Sequence, residues 1–128
     1  MSLTNDENNR LPEVGREAES MKRILWDMEE AAVILQGLLD VRAGIISRTD
    51  AIAYVSEELR ARAVRRQYDI GEKFRNKNGI SWQMAHLEFG LTDGEKGIGP
   101  VHKWQEKILD IYHNEPETYK KLLNSARK

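Results

Sequence analysis

The sequence predicts an all-α protein: a helical bundle of about four to five helices, with a long N-terminal helical hairpin followed by a compact C-terminal helical part. Three observations predict it. Between Glu17 and Val41, the residues Met21, Leu25, Met28, Ala32, Leu35 and Leu39 recur at alternating steps of four and three, with Ile24, Ala31 and Leu38 beside them. That spacing is the apolar stripe of an amphipathic helix. Further on, Ile52, Val55, Leu59, Ala63, Ile70 and Phe74 follow the same three-to-four spacing. No stretch alternates apolar and polar residues as a half-buried strand would, and there is no internal repeat.

Taken in order, Met1 to Gly15 reads as a disordered tail: Asp6, Glu7, Asn8, Asn9 and Arg10 have no apolar neighbours, and Pro12 and Gly15 interrupt the segment. The single helical domain is then expected over residues 16–128, with the hairpin at 16–77 and the C-terminal part at 80–128. Helix one starts near Arg16 and stops near Ala43, where Gly44 supplies a C-terminal stop. Trp26, Asp27, Glu29, Glu30 and Gln36 fall on its polar faces. Gly37, inside that helix, costs about 1 kcal/mol relative to Ala and points to close approach of a neighbouring helix. Ser47 or Thr49 caps helix two, which is expected from Asp50 to Asn76. Asn78-Gly79 reads as a turn, and Ser81 as the cap of a third helix from Trp82 to Phe89. Residues 90 to 99 hold Gly90, Gly94, Gly97 and Gly99 and read as a loop. Pro100 suits the first position of a fourth helix with Val101, Trp104, Ile108, Ile111 and Tyr112 as its stripe, and Pro116 opens a last short helix.

Composition narrows the function classes. The chain has 128 residues, 40% hydrophobic and 32% charged, the balance of an ordinary globular domain. It has no cysteine, which excludes disulfides, thiolate metal sites and cysteine nucleophiles. No window reaches the ~20 apolar residues of a membrane span. The first ten residues are acidic and polar, unlike a signal peptide, so the expected location is cytoplasmic. The net charge of −1 hides an uneven distribution. Residues 1–40 carry four basic and nine acidic side chains, residues 41–77 nine basic and five acidic, and residues 78–128 seven of each.

The basic middle holds the first candidate site. Arg60, Arg62, Arg65 and Arg66 are followed by Lys73, Arg75 and Lys77. On a helix Arg62, Arg66 and Lys73 lie near one face with Arg65 at its edge. A guanidinium bonds phosphate through a planar fork, and clustered cations release counterions from nucleic acid. The plainer reading is a solvated face, or arginines paired with acids of helix one such as Asp27, Glu29 and Glu30.

The second candidate is "SWQMAHLEFG" followed by "VHKW", from Ser81 to Trp104, which faintly resembles the helix-turn-helix of small bacterial and phage repressors. The likeness covers about 24 residues. It implies that Pro100 to Tyr112 is a recognition helix with His102, Lys103 and Gln105 facing bases or phosphates. The chain departs from that family in its connection, since Leu91 to Gly99 far exceeds a turn of about three or four residues. The plainer reading is two core helices and a loop.

Other constellations are weaker. "GLTDGEKGIG" lacks the Lys-Ser/Thr and preceding strand of a phosphate-binding P-loop, and reads as a mobile loop that orders on a partner. His102, Glu106, Asp110 and His113 share one side of helix four, but the other half of a bundle metal site is missing, so no metal or other cofactor is expected. No nucleophile motif is present, and Glu29-Glu30 and Glu57-Glu58 lack the further acids of a magnesium site, so the chain is not expected to be an enzyme. The leading expectation is a small nucleic-acid-binding regulatory protein that contacts duplex DNA through Arg62, Arg65, Arg66, Lys73, Arg75, His102 and Lys103. The alternative is a non-enzymatic protein-interaction module, such as an adaptor, inhibitor or antitoxin-like partner of another protein. Membrane partners are not expected. The regularity of Met21 to Leu39 predicts a homo-oligomer.

Overall fold

The computed structural model describes residues 24–128, which form five helices: α1 (Met28–Arg42), α2 (Arg48–Arg65), α3 (Lys77–Leu91), α4 (Lys103–Asn114) and α5 (Pro116–Ala126). The expected all-α bundle is what these residues build. The expected tail over 1–15 and the first turns of helix one, from Arg16 through Met21, lie outside the described residues. None of the helices is long and apolar enough to cross a membrane.

Helix α1 is the centre. It packs against α2, α3, α4 and α5. Six consecutive residues, from Glu30 through Ala31, Ala32, Val33 and Ile34 to Leu35, are buried, and Leu38 joins them. A helix covered all round is a core helix rather than an amphipathic one. Of the stripe on which the expectation of self-association rested, Ala31, Ala32, Leu35 and Leu38 are buried inside the chain, while Leu25 stays exposed. Leu59, Ile80, Met84, Leu87 and Ile108 close around it.

Four boundaries differ from expectation, each for a local reason. Helix α1 opens at Met28 instead of near Arg16, and Leu25, expected in the stripe, is 75% exposed. The cause is a capping box: Asp27 Oδ1 accepts from Glu30 N at 2.9 Å, and Asp27 N donates to Glu30 Oε1 at 3.2 Å. Helix α2 stops at Arg65 rather than Asn76. The chain reverses through Gln67, at φ 63, and returns beside α2. There Arg60 Nη1 donates to the carbonyls of Gly71, Glu72 and Phe74, and Ser56 Oγ donates to Arg75 O at 2.7 Å. Ile70 and Phe74 kept the helical spacing without belonging to the helix.

Helix α3 starts at Lys77, so Asn78-Gly79 lies in its first turn and Ser81 in its interior. Asn76 is the cap, with Oδ1 accepting from Gly79 N at 2.9 Å. Helix α4 starts at Lys103 rather than Pro100 because the glycine-rich segment folds onto α3. Ile98 N donates to Ala85 O at 3.1 Å, and His86 Nδ1 donates to Ile98 O at 2.6 Å. At Gly97, with φ 84, a Cβ would strike the Ala85 carbonyl, so glycine is needed there.

The hairpin itself follows the sequence closely. Gly44 ends α1 with φ 77, and Ser47 Oγ accepts from Asp50 N at 3.1 Å to cap α2. A Cβ on Gly37 would lie 2.8 Å from Val55 Cγ2, so the glycine marks where α2 approaches α1.

Candidate nucleic-acid interface

The seven candidate cations separate into two regions. The first is the end of the molecule where α2 meets the start of α1 and the end of α5. Arg62 is buried, its side chain 3% exposed. Its Nη2 donates to Asp27 Oδ2 at 2.8 Å and to Glu29 Oε1 at 2.9 Å, and its Nε also donates to Glu29 Oε1. Arg66 Nη2 donates to the same Glu29 oxygen at 2.6 Å, while Ser125 Oγ donates to Glu29 Oε2 at 2.6 Å. Glu29 is thus the hub joining α1, α2 and α5. Partial burial would raise its pKa, but the bonds from Ser125, Arg62 and Arg66 outweigh that and hold the carboxyl at about 2. Arg65 turns to the chain end, donating from Nε to Lys128 O at 2.8 Å and from Nη2 to Ala126 O at 3.1 Å. In this structure Arg62, Arg65 and Arg66 all bond oxygens of their own chain.

The second region is a cavity of about 750 Å³ between the start of the described chain, the α2–α3 connection and the start of α4. Arg75, His102 and Lys103 line it together with Ile24, Leu25, Trp26, Phe74, Gln83 and Trp104. Arg75 anchors its inner wall. Its Nε donates to Glu30 Oε2 at 2.7 Å and its Nη2 to Glu30 Oε1 at 3.0 Å, a two-pronged pair with side chains only 8% and 2% exposed. The same Nη2 donates to the carbonyls of Ile24 and Leu25. The guanidinium also lies 3.7 Å from the Trp26 ring centroid and 4.4 Å from that of Phe74. Trp26 in turn stacks on Trp104, with centroids 5.5 Å apart and planes 11° from parallel. A continuous layered column, Phe74 to Arg75 to Trp26 to Trp104, therefore crosses the cavity.

A buried glutamine sets the outer wall. Gln105 Oε1 accepts from His102 N at 2.8 Å, and Gln105 Nε2 donates to Gln83 Oε1 at 2.6 Å. This fastens the first turn of α4 to α3 and holds exposed His102 and Lys103 at the rim. The expectation that Gln105 faces bases is corrected here: it is fully buried. Lys73, also exposed, lies on the connection two positions before Arg75. Among the described residues no oxygen pairs with Lys73 or Lys103.

The sequence reading missed Trp26, Phe74, Gln83 and Trp104 as site residues. Trp26 was placed on a polar face and Trp104 in a core stripe. The signal that could have found the first is the Asp27-x-x-Glu30 capping box, which ends the helix before Trp26 and frees that ring. Among the described residues no three His, Asp or Glu side chains converge as a metal site requires, so His102, Glu106, Asp110 and His113 form no such cluster. Comparison of the chain with protein-family models, with curated proteins and with solved structures gave no match.

Proposed function

We propose that the chain is a small nucleic-acid-binding regulatory protein that receives its ligand at the α3–α4 cavity rather than along α2. One observation carries this reading: the exposed Lys103 and His102 share a single concave wall with Trp26, Phe74 and Trp104. A cation beside aromatic rings is what a polyanion with stacking bases needs. The arginines of α2 hold helices together on this reading, and Lys73 and Lys103 supply the free charge. No catalytic step is part of it.

The test is fluorescence anisotropy with random-sequence oligonucleotides, duplex and single-stranded, from about 50 to 200 mM salt. Binding should weaken as salt rises. Replacing Lys73 and Lys103 together by Ala should reduce the salt slope by roughly 0.7–0.9 per lysine lost. No binding to either form at about 50 mM salt overturns the reading. The protein-interaction alternative has its own support in a smaller cavity of about 270 Å³ on α3, where Trp82 and Ile98 stand 49% and 47% exposed.

A further inference from the structure

Resting on the nucleic-acid reading, we infer that the cavity is built for unpaired bases, in single-stranded or locally opened nucleic acid, and not for the groove of an intact duplex. The argument starts from shape. A helix that reads the major groove must project its first turn into a channel about 12 Å wide. Here the first turn of α4 borders a concavity, which Lys103 and Trp104 line together with Trp26 and Phe74. A duplex meets that rim with its backbone only, whereas a single base can enter.

The chemistry inside fits such a base. Within the column of Phe74, Arg75, Trp26 and Trp104 the inner faces cover one another, so the rings a base can meet are those at its two ends, Phe74 and Trp104, which both line the cavity. Every base has a π-face, so this platform accepts bases without regard to sequence. Arg75 is already neutralised by Glu30 and held in place by the Ile24 and Leu25 carbonyls, so it stiffens the platform instead of seeking phosphate. Gln83 adds a polar edge. Its Oε1 accepts from Gln105, which leaves its amide N–H groups as the donors it can offer a base. These donors suit the carbonyl or ring-nitrogen edge of a base that is not paired. Lys103, exposed at the rim, is positioned for the adjoining phosphate.

The experiment uses the full chain carrying Trp82→Phe, which removes the one tryptophan outside the cavity and leaves Trp26 and Trp104 as the emitters. The probes are a 12-nucleotide single strand of mixed sequence, as DNA and as RNA, and the matching DNA duplex. The expected result is at least about tenfold tighter binding of a single strand than of the duplex, with quenching of tryptophan emission as bases stack. Trp104→Ala should cost about tenfold or more in single-strand affinity and little in duplex affinity. Because Trp104 also packs on the core, Lys103→Glu is measured beside it. It should weaken single-strand binding while leaving the unfolding curve in place. Duplex binding as tight as single-strand binding, or binding without quenching, overturns the inference while the nucleic-acid reading stands. Failure of all three probes to bind at about 50 mM salt overturns both.

Discussion

At the end of the molecule where α2 meets α5, Arg62, Arg65, Arg66 and Arg127 each donate to an oxygen of the same chain. Lys103 at the start of α4 and Lys73 on the α2–α3 connection do not: they stand exposed, with no paired oxygen among the described residues. The two regions carry the same sign of charge and differ in what surrounds it. Near α5 the acids of the capping turn, Asp27 and Glu29, pair with Arg62 and Arg66, Glu58 pairs with Arg127, and Arg65 bonds backbone carbonyls. Around the start of α4, Trp104, Gln83 and Gln105 are the neighbours, and the one acid of its first turn, Glu106, forms no ion pair among the described residues. The arginines of α2 therefore mark the stitching of the fold, while Lys73 and Lys103 have no paired oxygen among the described residues.

Arg75 stands between the two, being both paired and cavity-lining, and breaking its pair is the most severe challenge to this contrast. Arg75→Ala leaves Glu30 as an uncompensated buried charge and should cost about 3–5 kcal/mol in urea unfolding. Replacing Glu30 and Arg75 together by Met should recover a large part of that loss. A single-variant cost below about 1 kcal/mol would show that the pair does not anchor the cavity wall.

Acid tests the α5 side next. Glu29 has a folded pKa of about 2, lowered from 4.5, so its contribution is fully present above about pH 4.5 and is lost as the pH falls toward 2. Stability should decline over that window in the natural chain and decline less steeply in Glu29→Gln, read as the denaturation midpoint at each pH. Equal pH slopes for the two would mean that Arg62, Arg66 and Ser125 do not act through Glu29.

The smallest effect is expected at the two exposed lysines. Lys73→Ala and Lys103→Ala should each leave stability within about 0.5 kcal/mol, because neither holds a contact in the fold. If either proves destabilising by more than about 1 kcal/mol, the division between structural and free cations fails.

Much of this fold was legible in the sequence where one residue settles one geometry. Gly44 requires a left-handed stop, Ser47 a cap, and Gly37 a near neighbour, and each does that work. Where periodicity alone was the guide, boundaries drifted. Ile70 and Phe74 kept the α2 spacing across a chain reversal, because a segment returning along a helix can match its register without being helical. Asn76 capped α3 ahead of the more conspicuous Asn78-Gly79 pair. The pairing of arginines with Asp27, Glu29 and Glu30 was visible as the plainer alternative, and it accounts for Arg62, Arg66 and Arg75. The cavity was not legible, because it depends on Trp26 leaving the helix that periodicity assigned it to and meeting Trp104 from 78 positions away in the chain.

The central position of α1 also shapes how the chain is made. Its last cover is α5, where the Tyr119 hydroxyl donates to the Ala32 carbonyl across 87 positions of sequence. At synthesis rates of about 5–20 residues per second, α1 leaves the ribosome roughly 5–15 seconds before α5 is complete. During that interval its apolar residues have too few partners to cover them on all sides. The helix that gives the finished protein its core is thus the adhesive part of the nascent one.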